Sequence, residues 1–154
     1  MWLDTHCHLD APEFLSDIES IVERAKSAGV AGILLPAVRA QDFETVQELT
    51  HRFKHEIPYL VYTLGIHPLY TDRASESDLK TLETEVVNAK NDPHFVGIGE
   101  IGLDYFVAEL DPHRQAFFFH AQLDLAQQYQ LPVILHVRRS QDMILKALRQ
   151  RTIS

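Results

Sequence analysis

Five short apolar runs recur along the chain, at Trp2–His6, Ile33–Ala37, Tyr59–Leu64, Phe95–Glu100 and Val133–Val137. Their starts lie about 26 to 38 residues apart, the length of one strand plus its crossover helix. No low-complexity segment or linker interrupts the series, so one domain over 1–154 is predicted. Runs of this length, apolar on both faces, describe parallel strands with helices on one side and a second packed layer on the other.

The intervening segments carry helical stripes. Ser16-Asp17-Ile18-Glu19 is a capping-box pattern, followed by Ile18, Ile21, Val22 and Ala25 on one face and a stop at Gly29. A second helix is predicted from Asp42 through Phe53, and a third from Ser77 to just before Asp92-Pro93. The fourth opens on Asp111-Pro112 and buries Ala116, Phe119, Leu123 and Ala126. The fifth begins near Ser140 with Met143, Ile144, Ala147 and Leu148 inward. This α/β alternation leaves an open doubly wound sheet or a (β/α)₈ barrel.

The chemistry-bearing residues favour the barrel. His6 and His8 close the first run two residues apart, so in extended backbone they share a face and can grip one cation. Glu100 and His136 stand at the ends of later runs. In a barrel, residues at the carboxyl ends of strands converge on one mouth. A full barrel takes roughly 200 residues or more, so about the first five βα units of a partial TIM barrel are predicted, incomplete at the C-terminus.

Composition narrows the function. The chain has 22 acidic against 14 basic residues and a formal charge of −8. That excludes a uniformly basic nucleic-acid surface, and a polyanionic substrate would need metal and local arginines. The single cysteine, Cys7, excludes an internal disulfide framework and fits a reducing, cytoplasmic setting. No run is long enough for a membrane span, so no membrane association is expected. Cys7 has the opposite parity to its flanking histidines and is read as structural. The Gly97-x-Gly99-x-x-Gly102 string matches a dinucleotide fingerprint, but no helix pattern opens within it and Glu100 would face a pyrophosphate. His51, His55, His94, His113 and His120 fall in helices or connections and are read as ordinary. Phe117, Phe118 and Phe119 are read as helix packing.

Four strings carry a resemblance. Asp4-Thr5-His6-Cys7-His8-Leu9-Asp10, Gly65-Ile66-His67-Pro68, Gly99-Glu100-Ile101-Gly102-Leu103-Asp104 and Leu131-Pro132-Val133-Ile134-Leu135-His136-Val137-Arg138 resemble, in order and spacing, the TatD family of metal-dependent deoxyribonucleases, which are amidohydrolase-like barrels. The resemblance implies a hydrolase acting on DNA ends with one or two divalent ions, zinc, manganese or magnesium. It implies His6 and His8 as ligands of a first metal, Glu100 as a carboxylate shared by two, and His136 as a ligand of the second. His67 and Arg138 would contact substrate, Arg139 stands beside them, and Asp104 would orient a ligand.

The family pattern continues with a histidine on the sixth strand and a general-base aspartate on the eighth, which have no counterpart in these 154 residues. Impaired catalysis is therefore expected, as is self-association through an open sheet edge. The alternatives are a metal-dependent amidohydrolase acting on a small molecule and a non-catalytic metal-binding fragment.

Overall fold

A computed structural model describes residues 1–153. Strands β1 (Trp2–Asp4), β2 (Val30–Pro36), β3 (Tyr59–Leu64), β4 (Phe95–Asp104) and β5 (Val133–Arg138) form one sheet in chain order, each neighbouring pair parallel. Between them lie α1 (Pro12–Leu15), α2 (Ile18–Ser27), α3 (Phe43–Phe53), α4 (Glu76–Ala89) and α5 (Pro112–Tyr129), with α6 (Gln141–Arg149) after β5. Short 3-10 turns at Ala40–Asp42 and Pro68–Tyr70 complete the connections.

The sheet curls into part of a barrel. On a flat sheet, β1 and β4 would stand about 14 Å apart, three strand spacings. Yet His6, just past β1, brings Nε2 to 3.1 Å from Glu100 Oε2 on β4. Only strong curvature closes that gap.

The helices cover the convex face. Ile18 and Val22 of α2, Val46, Leu49 and Phe53 of α3, Leu82 and Val86 of α4, Phe119, Leu123 and Ala126 of α5, and Ile144 and Ala147 of α6 join the strand residues in one buried cluster. β4 is buried along nearly its whole length, as a central parallel strand covered on both faces must be. β1 is exposed throughout and β5 only partly buried, because each forms an edge of the sheet.

Several local expectations are corrected. Ser16 makes no capping box, since it closes the single turn of α1 and Asp17 caps α2 without a side-chain bond. The capping box belongs instead to Ser75 and Asp78 at the start of α4, where the Ser75 N–H donates to Asp78 Oδ2 at 2.7 Å. Met143 faces solvent, leaving Ile144 and Ala147 to bury α6. Asp111 caps α5 as its sequence predicts, accepting from the His113 N–H at 2.8 Å.

Close backbone contact requires glycine at the centre of the sheet. At Gly102, φ is +151°, and a Cβ would stand 2.0 Å from the His136 carbonyl oxygen. Gly102→Ala is therefore expected to cost about 3 kcal/mol or more of stability, from backbone strain together with overpacking. Urea unfolding measures it, and a loss below about 1 kcal/mol would show that β4 and β5 separate freely here.

Candidate metal centre

The histidine pair sits on a loop that prolongs β1. Asp4 Oδ1 accepts the His6 N–H at 3.1 Å, and the Cys7 N–H donates to the Leu34 carbonyl at 3.0 Å, keeping the segment paired to β2. Alternation persists past the strand end, so His6 and His8 fall on the mouth side while Cys7 packs against the core cluster. The two Nε2 atoms lie 3.3 Å apart.

Glu100 reaches them from within β4, which runs four residues beyond it to Asp104. Its N–H donates to the Ala37 carbonyl at 3.0 Å, fixing the carboxylate where β2 and β4 draw together. Oε2 stands 3.1 Å from His6 Nε2 and 3.6 Å from His8 Nε2, and Oε1 stands 3.3 Å from His136 Nδ1. Glu100 is thus buried between two groups of imidazoles, with one oxygen toward each.

Asp104 holds the far side of the His136 ring. Its Oδ2 is 3.0 Å from His136 Nε2, and its Oδ1 accepts the N–H groups of Phe106 and Val107 at 2.9 and 3.2 Å. A carboxylate behind one imidazole nitrogen fixes the ring and leaves the other nitrogen, Nδ1, turned toward Glu100.

His67 joins the same cluster by another route. Its N–H donates to the Val38 carbonyl at 2.9 Å, and its Nδ1 accepts the Leu69 N–H at 3.1 Å. A lone pair at Nδ1 places the ring proton on Nε2, which lies 2.9 Å from His136 Nδ1 and 3.6 Å from Glu100 Oε1. Held this way, His67 is a hydrogen-bond donor into the mouth.

The electrostatics follow from this packing. Burial alone would raise the Glu100 carboxyl, but its contacts with the His136 and His8 imidazoles and the nearby His67 and His6 rings hold it well below the usual range. The Glu100 carboxylate raises both His8 and His136, with Asp104 adding to the latter. Burial pushes His67 down to about 4, so it is neutral near pH 7.

The donor set fits a divalent transition metal. One ligand atom from each of His6, His8 and Glu100 lies within 4.8 Å of the others, and the same holds for His67, Glu100 and His136. Imidazole and carboxylate together suit zinc or manganese better than calcium, which favours all-oxygen shells. An open cleft of about 490 Å³ adjoins the centre, lined in part by His8, Asp10, Arg39, His67 and Tyr70. On β5, Arg138 Nη1 stands 4.0 Å from Asp104 Oδ2, and the guanidinium carbons of Arg138 and Arg139 lie 3.7 and 4.6 Å from the centre of the exposed Phe106 ring.

Two buried glutamines that sequence reasoning passed over hold the framework. Gln115 Oε1 accepts the Asp104 N–H at 2.7 Å and its Nε2 donates to the Asp104 carbonyl at 2.9 Å. Seven residues along α5, Gln122 does the same for Ile66, next to His67, at 2.7 and 3.1 Å. Polar residues seven apart on the apolar stripe of a helix are the signal that would have found them.

A family model described as TatD related DNase matches residues 3–154. An uncharacterized metal-dependent hydrolase of Escherichia coli K12, YjjV, is 37% identical over 149 residues, covering 97% of this chain and 55% of that protein. The crystal structure of YjjV, a TatD homologue, superposes with a TM-score of 0.85 at 36% identity, again over 97% of this chain and 55% of the other. A protein of Erwinia billingiae named 3'-5' ssDNA/RNA exonuclease TatD is 33% identical over 145 residues, 94% of this chain and 53% of that one. The chain thus spans about half the length of the relatives it matches. Because the family model reaches across almost every residue and a solved homologue shares the partial barrel, this chain belongs to the TatD family of metal-dependent hydrolases and DNases.

Proposed function

We propose that residues 1–154 form a single TatD-like hydrolase domain, incomplete at its C-terminus, that carries the first part of a metal centre built to act on the ends of DNA. The observation that carries this reading is the Glu100 carboxylate with His6 and His8 on one oxygen and His136 on the other. In this reading His6 and His8 hold one divalent ion, His136 a second, and Glu100 both. Bound ions supply Lewis acidity toward a phosphodiester and its attacking water.

The remaining residues bind and orient. Asp104 fixes the His136 ring, and His67 donates Nε2–H to a substrate oxygen. Arg138 offers a guanidinium fork to a phosphate, which an acidic chain needs locally. The relatives' name extends the candidate substrates to single-stranded DNA and RNA read from the 3′ end. Residues 1–154 span about half the length of the relatives and hold no counterpart of the family's sixth-strand histidine or eighth-strand aspartate, so turnover by these residues on their own is expected to be impaired. A cytoplasmic setting fits, and no helix of the described residues is long and apolar enough to cross a membrane.

Self-association accompanies this reading. Among the described residues the fifth-strand edge, where association was expected, and the outer edge of β1 are both unpaired, and beside β1 Met1, Trp2 and Leu3 are 88, 71 and 58% exposed. An open apolar strand edge is a template for a second copy.

Two experiments test the proposal. With manganese or zinc and a labelled single-stranded DNA, the chain is expected to bind metal yet release nucleotides far more slowly than a full-length relative, and Glu100→Gln is expected to weaken metal binding at least about 100-fold. Absence of metal binding would overturn the centre, rapid DNA turnover would overturn the impairment, and hydrolysis of a small ester or amide with none of DNA would redirect the substrate. Light scattering after size-exclusion is expected to give a mass above the 17.6 kDa of one chain, returning to it in Leu3→Lys. A folded monomer of the unaltered chain would end the self-association proposal.

A further inference from the structure

The opposite end of the sheet carries a second group of donors that the proposed function leaves unused. His51 lies in the last turn of α3, and Asp92 and His94 bracket Pro93 immediately before β4. One ligand atom from each lies within 4.8 Å of the other two. His51 Nε2–H donates to Asp92 Oδ2 at 2.9 Å, and the His51 and His94 rings meet edge to face with centroids 5.5 Å apart.

Asp92 and His94 are already oriented by neighbours. The Tyr62 hydroxyl donates to Asp92 Oδ2 at 2.8 Å, and the His94 N–H donates to Asp92 Oδ1 at 2.9 Å. His94 Nδ1 stands 2.8 Å from the Leu60 carbonyl. A carbonyl only accepts, so Nδ1 carries the proton and Nε2 presents a lone pair. An imidazole N–H on a backbone carbonyl, with the other nitrogen free, is the arrangement that prepares a histidine to ligate metal.

We propose that His51, Asp92 and His94 form a second, separate binding site for a divalent transition metal, with zinc the best match. Tetrahedral zinc with bonds of about 2.0–2.1 Å sets its ligand atoms about 3.3 Å apart, so this cluster needs only a small adjustment to close on an ion. Two imidazoles and one carboxylate favour zinc over magnesium or calcium. Exposure of His51 and partial exposure of the other two leave room for water to complete the shell. Bound there, the ion ties the end of α3 to the α4–β4 connection at the amino ends of the strands. That is the end of a barrel where features serve stability. Loss of either site leaves the other intact, since they share no residue.

Zinc titration by calorimetry, on the chain carrying His6→Ala, His8→Ala, Glu100→Gln and His136→Ala to disable both metal positions at the mouth, tests the assignment. This background is expected to bind zinc at the second cluster, and addition of Asp92→Asn to weaken that binding at least tenfold. Asparagine keeps an acceptor for the His94 N–H, which preserves the local turn. Imidazole nitrogen NMR of the unaltered chain provides a reading free of substitutions, with the ring nitrogens of His51 and His94 expected to shift on adding zinc. Unmoved His51 and His94 signals, or an Asp92→Asn chain that binds as tightly as its background, would overturn the site.

Discussion

A buried negative charge governs this structure. An ionised carboxylate removed from water is costly unless cations or donors surround it, and Glu100 is 5% exposed. Its compensation comes from imidazoles belonging to separate strand ends, so the sheet must curl far enough to deliver all of them. Removing the carboxylate would leave His6, His8 and His136 facing a shared void. Removing the imidazoles would leave an unpaired charge in the barrel interior.

The surrounding scaffold is built to hold that meeting point. Backbone groups just past the strand ends continue the sheet ladder, with Leu34, Ala37 and Val38 carbonyls receiving the N–H groups of Cys7, Glu100 and His67. From outside, Gln115 and Gln122 of α5 bind both the N–H and the carbonyl of Asp104 and Ile66. Each interaction is ordinary in strength. Together they fix loops that would otherwise be free to move.

Much of this was legible in the residues because two periodicities coincide with two kinds of chemistry. The spacing of apolar runs located all five strands, and the charged or imidazole residue closing a run located the mouth. The histidine pair was harder, since β1 ends at Asp4 and the shared face of His6 and His8 depends on the Cys7–Leu34 bond beyond it. Helix starts misled where two cap-like residues lay close together, as at Ser16 against Asp17 and Ser75 against Ser77. The glutamines were harder to see, because one polar residue on an apolar helix stripe reads as an interruption and only the seven-residue spacing of Gln115 and Gln122 marks them. The contact between His51 and Asp92 was hidden for another reason, its two residues lying on elements far apart along the chain.

The claim that unites fold, site and family is that His6, His8 and Glu100 enclose a metal ion. Anomalous diffraction at the zinc edge from zinc-soaked crystals tests it most directly. The account predicts a peak about 2.0–2.3 Å from the ligand atoms of these three residues. Saturating zinc with no peak among them, while their side chains keep the positions described above, would contradict it.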